Sequence, residues 1–172
     1  MIIFKDVFNG DEILSDSYDL EESHGGLFWE ANCSMITVGA VQVDTGANAS
    51  AEEADEEAED TDRKVIDIVE SFRLDETFYD KKSLKTYLNG YLKSLKKHLS
   101  EAGKSDEEVK TFLKSALDFY TNNVLNKMDD WQFFKGETDY ESTGTLVLLN
   151  YREDGVTPYV LVLKAGLKEE KV

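Results

Sequence analysis

The sequence predicts an α+β fold, with one β core assembled from both ends of the chain and an antiparallel α-helical hairpin inserted between them. Three features point there: strand-like runs punctuated by turn residues at each end, two apolar stripes at helical spacing in the middle, and an acid-rich segment that interrupts the first β portion. The expected division is a single domain over 1–172, with β core at 1–47, 65–79 and 131–172, a mobile acidic loop at 48–64, and the hairpin at 80–128.

Taken in order, Ile2-Ile3-Phe4 and Val7-Phe8 lead into Asn9-Gly10-Asp11, a hairpin-type turn signal, and then Ile13-Leu14. His24-Gly25-Gly26 marks a second turn before Leu27-Phe28-Trp29. Met35, Thr37 and Ala40 separate Ile36, Val38 and Val41, an imperfect alternation that still favours strand over helix. Between Glu52 and Asp62 eight of eleven residues are acids, and nothing apolar larger than Ala is available to bury, so a mobile loop is expected. The β-branched run from Val65 to Phe72 reads as a well-buried strand.

Asp80 is placed to cap a first helix, with Leu84, Tyr87, Leu88, Tyr91, Leu92, Leu95 and Leu99 forming one apolar stripe. Gly103 is the expected stop. Ser105 followed by Glu108 is a capping-box signature for a second helix, striped by Val109, Phe112, Leu113, Ala116, Leu117, Tyr120 and Val124. So short a link forces the helices antiparallel, each covering the other's stripe. Gly90 should weaken the first helix by about 1 kcal/mol relative to Ala unless close packing requires it. After Trp131, the runs 144–151 and 159–163 flank Glu153-Asp154-Gly155. Both faces of this hairpin are apolar, which places it at the centre of the sheet.

The chain carries a net charge of −17, unevenly distributed. Residues 1–80 hold 22 acids against four bases, whereas residues 81–172 hold 14 acids and 15 bases. Such a field disfavours nucleic acid and anionic membrane as partners of the whole protein. Cys33 is the sole cysteine, no signal-peptide pattern opens the chain, and no run reaches the roughly 18 apolar residues of a membrane span, so a cytoplasmic location is expected.

Catalytic chemistry finds little to work with. The two histidines are His24, in a glycine turn, and His98, within the apolar arc of the first helix. Cys33 lies in a strand pattern and reads as a buried small hydrophobe. No nucleophile elbow, phosphate loop, dinucleotide fingerprint or zinc-protease motif is present, and no zinc site is expected, so the reading is not an enzyme. The acidic run offers oxygen ligands (Glu52, Glu53, Asp55 and Glu56 among them) without the frame that pre-positions them for calcium. Weak, salt-sensitive Ca²⁺ binding is expected, with no tightly bound cofactor.

The sharper feature is basic. Between Lys81 and Leu99 there are six lysines and no acid. At about 100° per residue, Lys82, Lys85, Lys93, Lys96 and Lys97 fall in one arc opposite the apolar stripe. A basic face on so acidic a protein suits an acidic protein surface, such as the acid-rich tails of tubulin in microtubules.

Five separated segments resemble the translationally controlled tumour protein (TCTP) family. They are the opening MIIFKDVFNGDEILSDSYDL, Gly46-Ala47-Asn48-Ala49-Ser50-Ala51-Glu52, Trp131-Gln132-Phe133-Phe134-Lys135-Gly136-Glu137, the stretch from Asn150 to Tyr159, and the closing Glu169-Glu170-Lys171. The resemblance implies a compact, tent-like β core shared with a small accessory protein of Rab GTPases, a projecting helical hairpin and a mobile acidic loop. It also implies calcium binding, microtubule stabilisation through the helical region, roles in growth and survival, and nucleotide exchange on the small GTPase Rheb. The family's tubulin-binding segment falls here on the lysine helix and the start of the next. Its GTPase-contact acid falls on Glu12, beside Asp11, with Glu137 of the second signature on the same side. An alternative function is therefore guanine-nucleotide exchange factor or chaperone for a Rheb-type GTPase. Some members end in a cysteine that links dimers; Val172 stands here, so that disulfide is not expected.

Overall fold

The computed structural model describes residues 1–39 and 63–172. Eleven strands and three helices are present among them: β1 (Ile2–Asp6), β2 (Glu12–Ser15), β3 (Leu20–Ser23), β4 (Phe28–Asn32), β5 (Met35–Val38), β6 (Arg63–Ile66), α1 (Asp67–Phe72), β7 (Asp75–Thr77), α2 (Lys81–Glu101), α3 (Asp106–Phe119), β8 (Gln132–Lys135), β9 (Val147–Tyr151), β10 (Pro158–Leu163) and β11 (Leu167–Lys171). The fold is α+β, and every strand pair is antiparallel.

A six-stranded sheet, β3-β4-β10-β9-β8-β7, forms the middle layer, with the β9–β10 hairpin at its centre as expected. Alternate residues of these strands project to opposite faces. Phe133, Leu148, Leu161 and Leu163 join a core with the helices, whereas Phe134, Val147, Leu149, Val160 and Val162 join a second core with Phe4, Ile13, Leu14 and Ile68. The helical hairpin therefore covers one face, and the three-stranded sheet β11-β1-β2 covers the other together with α1. This corrects two expectations. The chain builds two cores rather than one, and the helix stripes close on the sheet as well as on each other.

Helix α2 begins at a reciprocal cap. The Asp80 carboxylate accepts from the Ser83 backbone N–H at 2.7 Å, and the Ser83 hydroxyl accepts from the Asp80 N–H at 3.0 Å. The Ser83 N–H first, and the Ser83 hydroxyl second, hold the Asp80 pKa below the ordinary carboxylate value. Gly103 follows the C-terminus at φ 93°, a backbone that favours glycine. The Ser105 hydroxyl caps α3 by accepting from the Glu108 N–H at 3.1 Å. The chain then loosens into a π turn, Tyr120–Val124, and a 3₁₀ segment, Leu125–Asp130.

The run from Val65 to Phe72 is a mixed element rather than the expected strand. Its first two residues finish β6, and Asp67 then starts a six-residue helix. Asp67 explains the switch: its Oδ1 accepts from the Ser34 N–H at 3.0 Å and from the Ile68 N–H at 2.8 Å. Left-handed Arg73 (φ 54°) ends the turn, and the Leu74 N–H donates to the Val69 carbonyl. Arg63 and Lys64, assigned to the acidic loop, belong to β6. The rest of that loop, with Glu52, Glu53, Asp55 and Glu56, lies outside the described residues. No helix among those described is long and apolar enough to cross a membrane.

Candidate functional site

Helix α2 turns one face into the core and the other to solvent. Leu84, Leu88, Tyr91, Leu92 and Leu95 are buried, while Lys82, Lys85, Lys93, Lys96 and Lys97 are all exposed. At 1.5 Å rise per residue the lysines cover about 22 Å of helix axis. Among the described residues the ion pairs engage Lys5, Arg73, Arg152 and Lys164, and none of the five helix lysines joins one. Gly90 lies on the exposed side, and a Cβ built there meets nothing within 4 Å, so close packing does not account for it.

A second surface forms at the β1–β2 turn. Asp11 and Glu12 are adjacent in sequence but behave differently. The Asp11 side chain is nearly buried and accepts two bonds from Thr138, from its N–H at 3.0 Å and its hydroxyl at 2.7 Å. Gly136 makes room for it, since a Cβ there would lie 2.7 Å from Asp11 Cβ and 2.9 Å from Cγ. Asp11 therefore fastens the turn to the loop after β8. Glu12 is exposed opposite Lys5, and Glu137 is exposed with Arg73 at 3.4 Å. The Thr138–Asp11 bonds thus join the chain neighbours of Glu137 and Glu12.

Sequence reasoning missed the buried polar node behind that tie. The Asp6 carboxylate, fully buried, accepts from the Phe8 N–H at 2.9 Å and the Thr145 N–H at 2.7 Å. The nearby Asp139 carboxylate accepts from the N–H groups of Thr143 and Gly144, each at 3.0 Å. The Tyr91 hydroxyl meets Thr145 Oγ1 at 2.8 Å, and the Thr145 hydroxyl donates to the Gly166 carbonyl at 3.1 Å. The Tyr87 hydroxyl donates to the Gly144 carbonyl at 2.6 Å. Burial raises the Asp6 pKa against the lowering effect of its two N–H donors, and the charges of Asp139 and Asp11 add to the rise. Burial likewise pushes the hydroxyls of Tyr87 and Tyr91 well above the ordinary tyrosine value. Helix α2, the β1–β2 turn and the loop before β9 are pinned through these groups.

Among the described residues no group of three or more His, Cys, Asp or Glu could hold a metal ion. His24 leans on Phe119, with ring centroids 4.5 Å apart, and His98 on Phe8 at 6.1 Å. Cys33 is buried, and its thiol is pushed up to about 12 by burial first and the Asp67 charge second. It should resist thiol-labelling reagents in the native protein at pH 8 and react only after denaturant is added. Fast native labelling, followed by mass spectrometry, would contradict that placement.

The model of the translationally controlled tumour protein family matches residues 1–168. The translationally-controlled tumor protein homolog of Neurospora crassa is 56% identical over 172 residues, covering all of both chains. That of Saccharomyces cerevisiae is 45% identical over the same span, again covering all of both chains. Among solved structures, the translationally controlled tumor-associated protein of Schizosaccharomyces pombe superposes with a TM-score of 0.81 at 44% identity, covering all of both chains. The Caenorhabditis elegans translationally-controlled tumor protein gives 0.75 at 27%, covering 100% of this chain and 99% of that one. From the first strand to the last, this chain belongs to the translationally controlled tumour protein family.

Proposed function

We propose that the chain is a non-enzymatic cytoplasmic docking protein that binds and stabilises acidic protein polymers, microtubules first among them, through the lysine face of α2. The observation that supports this reading most strongly is five exposed lysines without a described ion-pair partner, on a protein of net charge −17. Keeping so many like charges together without internal acids favours an external anionic partner. The test is co-sedimentation with polymerised microtubules across a salt series. Lys85, Lys93 and Lys96 changed together to Glu should cut affinity about 10-fold or more and leave the circular dichroism spectrum intact, since none of the three is buried. Wild-type binding that does not weaken with salt would refute it.

A second reading is a guanine-nucleotide exchange factor or chaperone for a Rheb-type GTPase. It draws support from exposed Glu12 and Glu137, whose chain neighbours Asp11 and Thr138 are bonded to each other. Glu12→Ala should then slow assisted release of a fluorescent guanine nucleotide about 10-fold, while the lysine changes leave it untouched. Equal release with and without the protein would end this reading. Weak Ca²⁺ association with Glu52, Glu53, Asp55 and Glu56 completes the proposal and rests on the sequence of that segment.

A further inference from the structure

We propose that the lysine face of α2 recognises an extended acidic peptide whose acids come in two groups about four residues apart, its backbone seated on Asn89 and Gly90 between them; this rests on the docking reading above. The lysines are not evenly spaced. Lys82 and Lys85 form one group, Lys93, Lys96 and Lys97 another, and the exposed residues at the saddle between them are Thr86, Asn89 and Gly90. All three are small or short and none is charged.

Gly90 is the informative one. A glycine in a helix interior is unfavourable, yet nothing within 4 Å would obstruct a Cβ, and its φ lies outside the left-handed region that would call for glycine. No requirement inside the molecule therefore explains it, whereas a partner's backbone passing close to the helix does. Asn89, beside it, carries an exposed carboxamide that bonds to no described residue, and a carboxamide offers a peptide group both a donor and an acceptor. Thr86, in contrast, spends its hydroxyl on the Lys82 carbonyl at 3.2 Å.

The spacing selects the occupant. Lys85 to Lys93 is about 12 Å along the axis, at 1.5 Å per residue. An extended chain covers that in about four residues at roughly 3.3 Å each, an even number that returns side chains to the same face. Acids at both ends of such a stretch meet both lysine groups, with a small residue over Gly90. The charge of the lysine groups identifies the ligand as anionic, and the saddle identifies it as a peptide rather than a polyphosphate backbone.

The experiment is fluorescence anisotropy with the full chain and two labelled hexapeptides of equal composition. One has Glu at positions one, two, five and six with glycine between; the other has four contiguous Glu. The spaced peptide should bind about 10-fold tighter. Gly90→Gln should raise the melting temperature yet weaken the spaced peptide about 10-fold, and Asn89→Ala should weaken it severalfold. If the Lys85, Lys93 and Lys96 reversal abolishes binding while Gly90→Gln and peptide spacing change nothing, the lysine-face reading stands and this inference falls. If the reversal also changes nothing, both fall. Competition by a single-stranded oligonucleotide of equal charge as effective as the spaced peptide itself overturns the peptide assignment.

Discussion

Gly166→Ala should lower the stability of the folded chain by about 3 kcal/mol, one of the largest losses expected from adding a single carbon. Gly166 sits in the short 3₁₀ turn between β10 and β11, Lys164–Gly166, and is buried. A Cβ there would overlap the Tyr91 hydroxyl and Thr145 Oγ1, with Thr145 Cγ2 at 3.3 Å. Neither neighbour has room to retreat: Tyr91 is 2% exposed and Thr145 0%. The methyl would part the hydroxyls that bond to each other at 2.8 Å and strain the bond from Thr145 to the Gly166 carbonyl. Overpacking costs about 1–3 kcal/mol and a stranded buried hydroxyl about 1–3 more. For a chain of this size that lowers the melting temperature by about 10 °C. Thermal denaturation followed by circular dichroism checks it; an unchanged midpoint would mean the turn shifts freely. Gly155→Ala is the control, because nothing lies within 4 Å of a Cβ there and only its φ of 71° resists substitution.

Asp6→Ala should cost a similar amount through a different mechanism. Removing the carboxylate strands the buried Thr145 N–H, at about 1–3 kcal/mol, and takes the acceptor from the part-buried Phe8 N–H, at up to a similar cost. Asp6→Asn should cost about half as much, since its amide oxygen can satisfy one donor but its NH₂ cannot accept from the other. The pH dependence separates charge from geometry. The folded-state pKa of Asp6 is raised above the ordinary carboxylate value, chiefly by burial, so the folded chain holds this proton more tightly than the unfolded chain does. Its contribution to stability therefore grows as pH falls through the folded pKa towards 3.8, and is lost as pH rises through it. The wild type should accordingly gain on Asp6→Asn between pH 7 and pH 4. A gap that stays constant on acidification would show that Asp6 titrates as an ordinary exposed carboxylate, and one that narrows would show that the Phe8 and Thr145 N–H donors outweigh burial and hold its pKa down.

Legibility in the sequence followed the range of each interaction. The α2 stripe, the Asp80 cap and the Gly103 stop are set by residues within a few positions of one another, and periodicity exposes them. The central β9–β10 hairpin was equally plain, because both of its faces are apolar. The one-turn helix α1 was hidden by Val65, Ile66, Ile68 and Val69, whose β-branching favours strand. What decides it is Asp67 bonding to Ser34 across a separation of 33 residues, which no local window contains. The Asp6–Thr145 bond, between residues 139 apart, was still further out of reach. Composition made it harder: in a chain with 36 acids, nothing marks Asp6, Asp11 and Asp139 as the buried ones. The lysine face needed only the absence of acids along one helix, so it was visible from the start.

The pairing of β1 with β11 has a consequence in time as well as in space. Ile2 lies opposite Lys171, and the Val172 N–H donates to the Met1 carbonyl at 2.9 Å. Partners separated by 171 residues emerge from the ribosome roughly 10 to 30 s apart at ordinary translation speeds. Throughout that interval β1 has β2 as its sole available sheet neighbour, and the second core lacks later strands that cover Phe4, Ile13 and Leu14. The nascent chain thus carries an open edge on β1 until β11 has been made, and only then can the three-stranded sheet close.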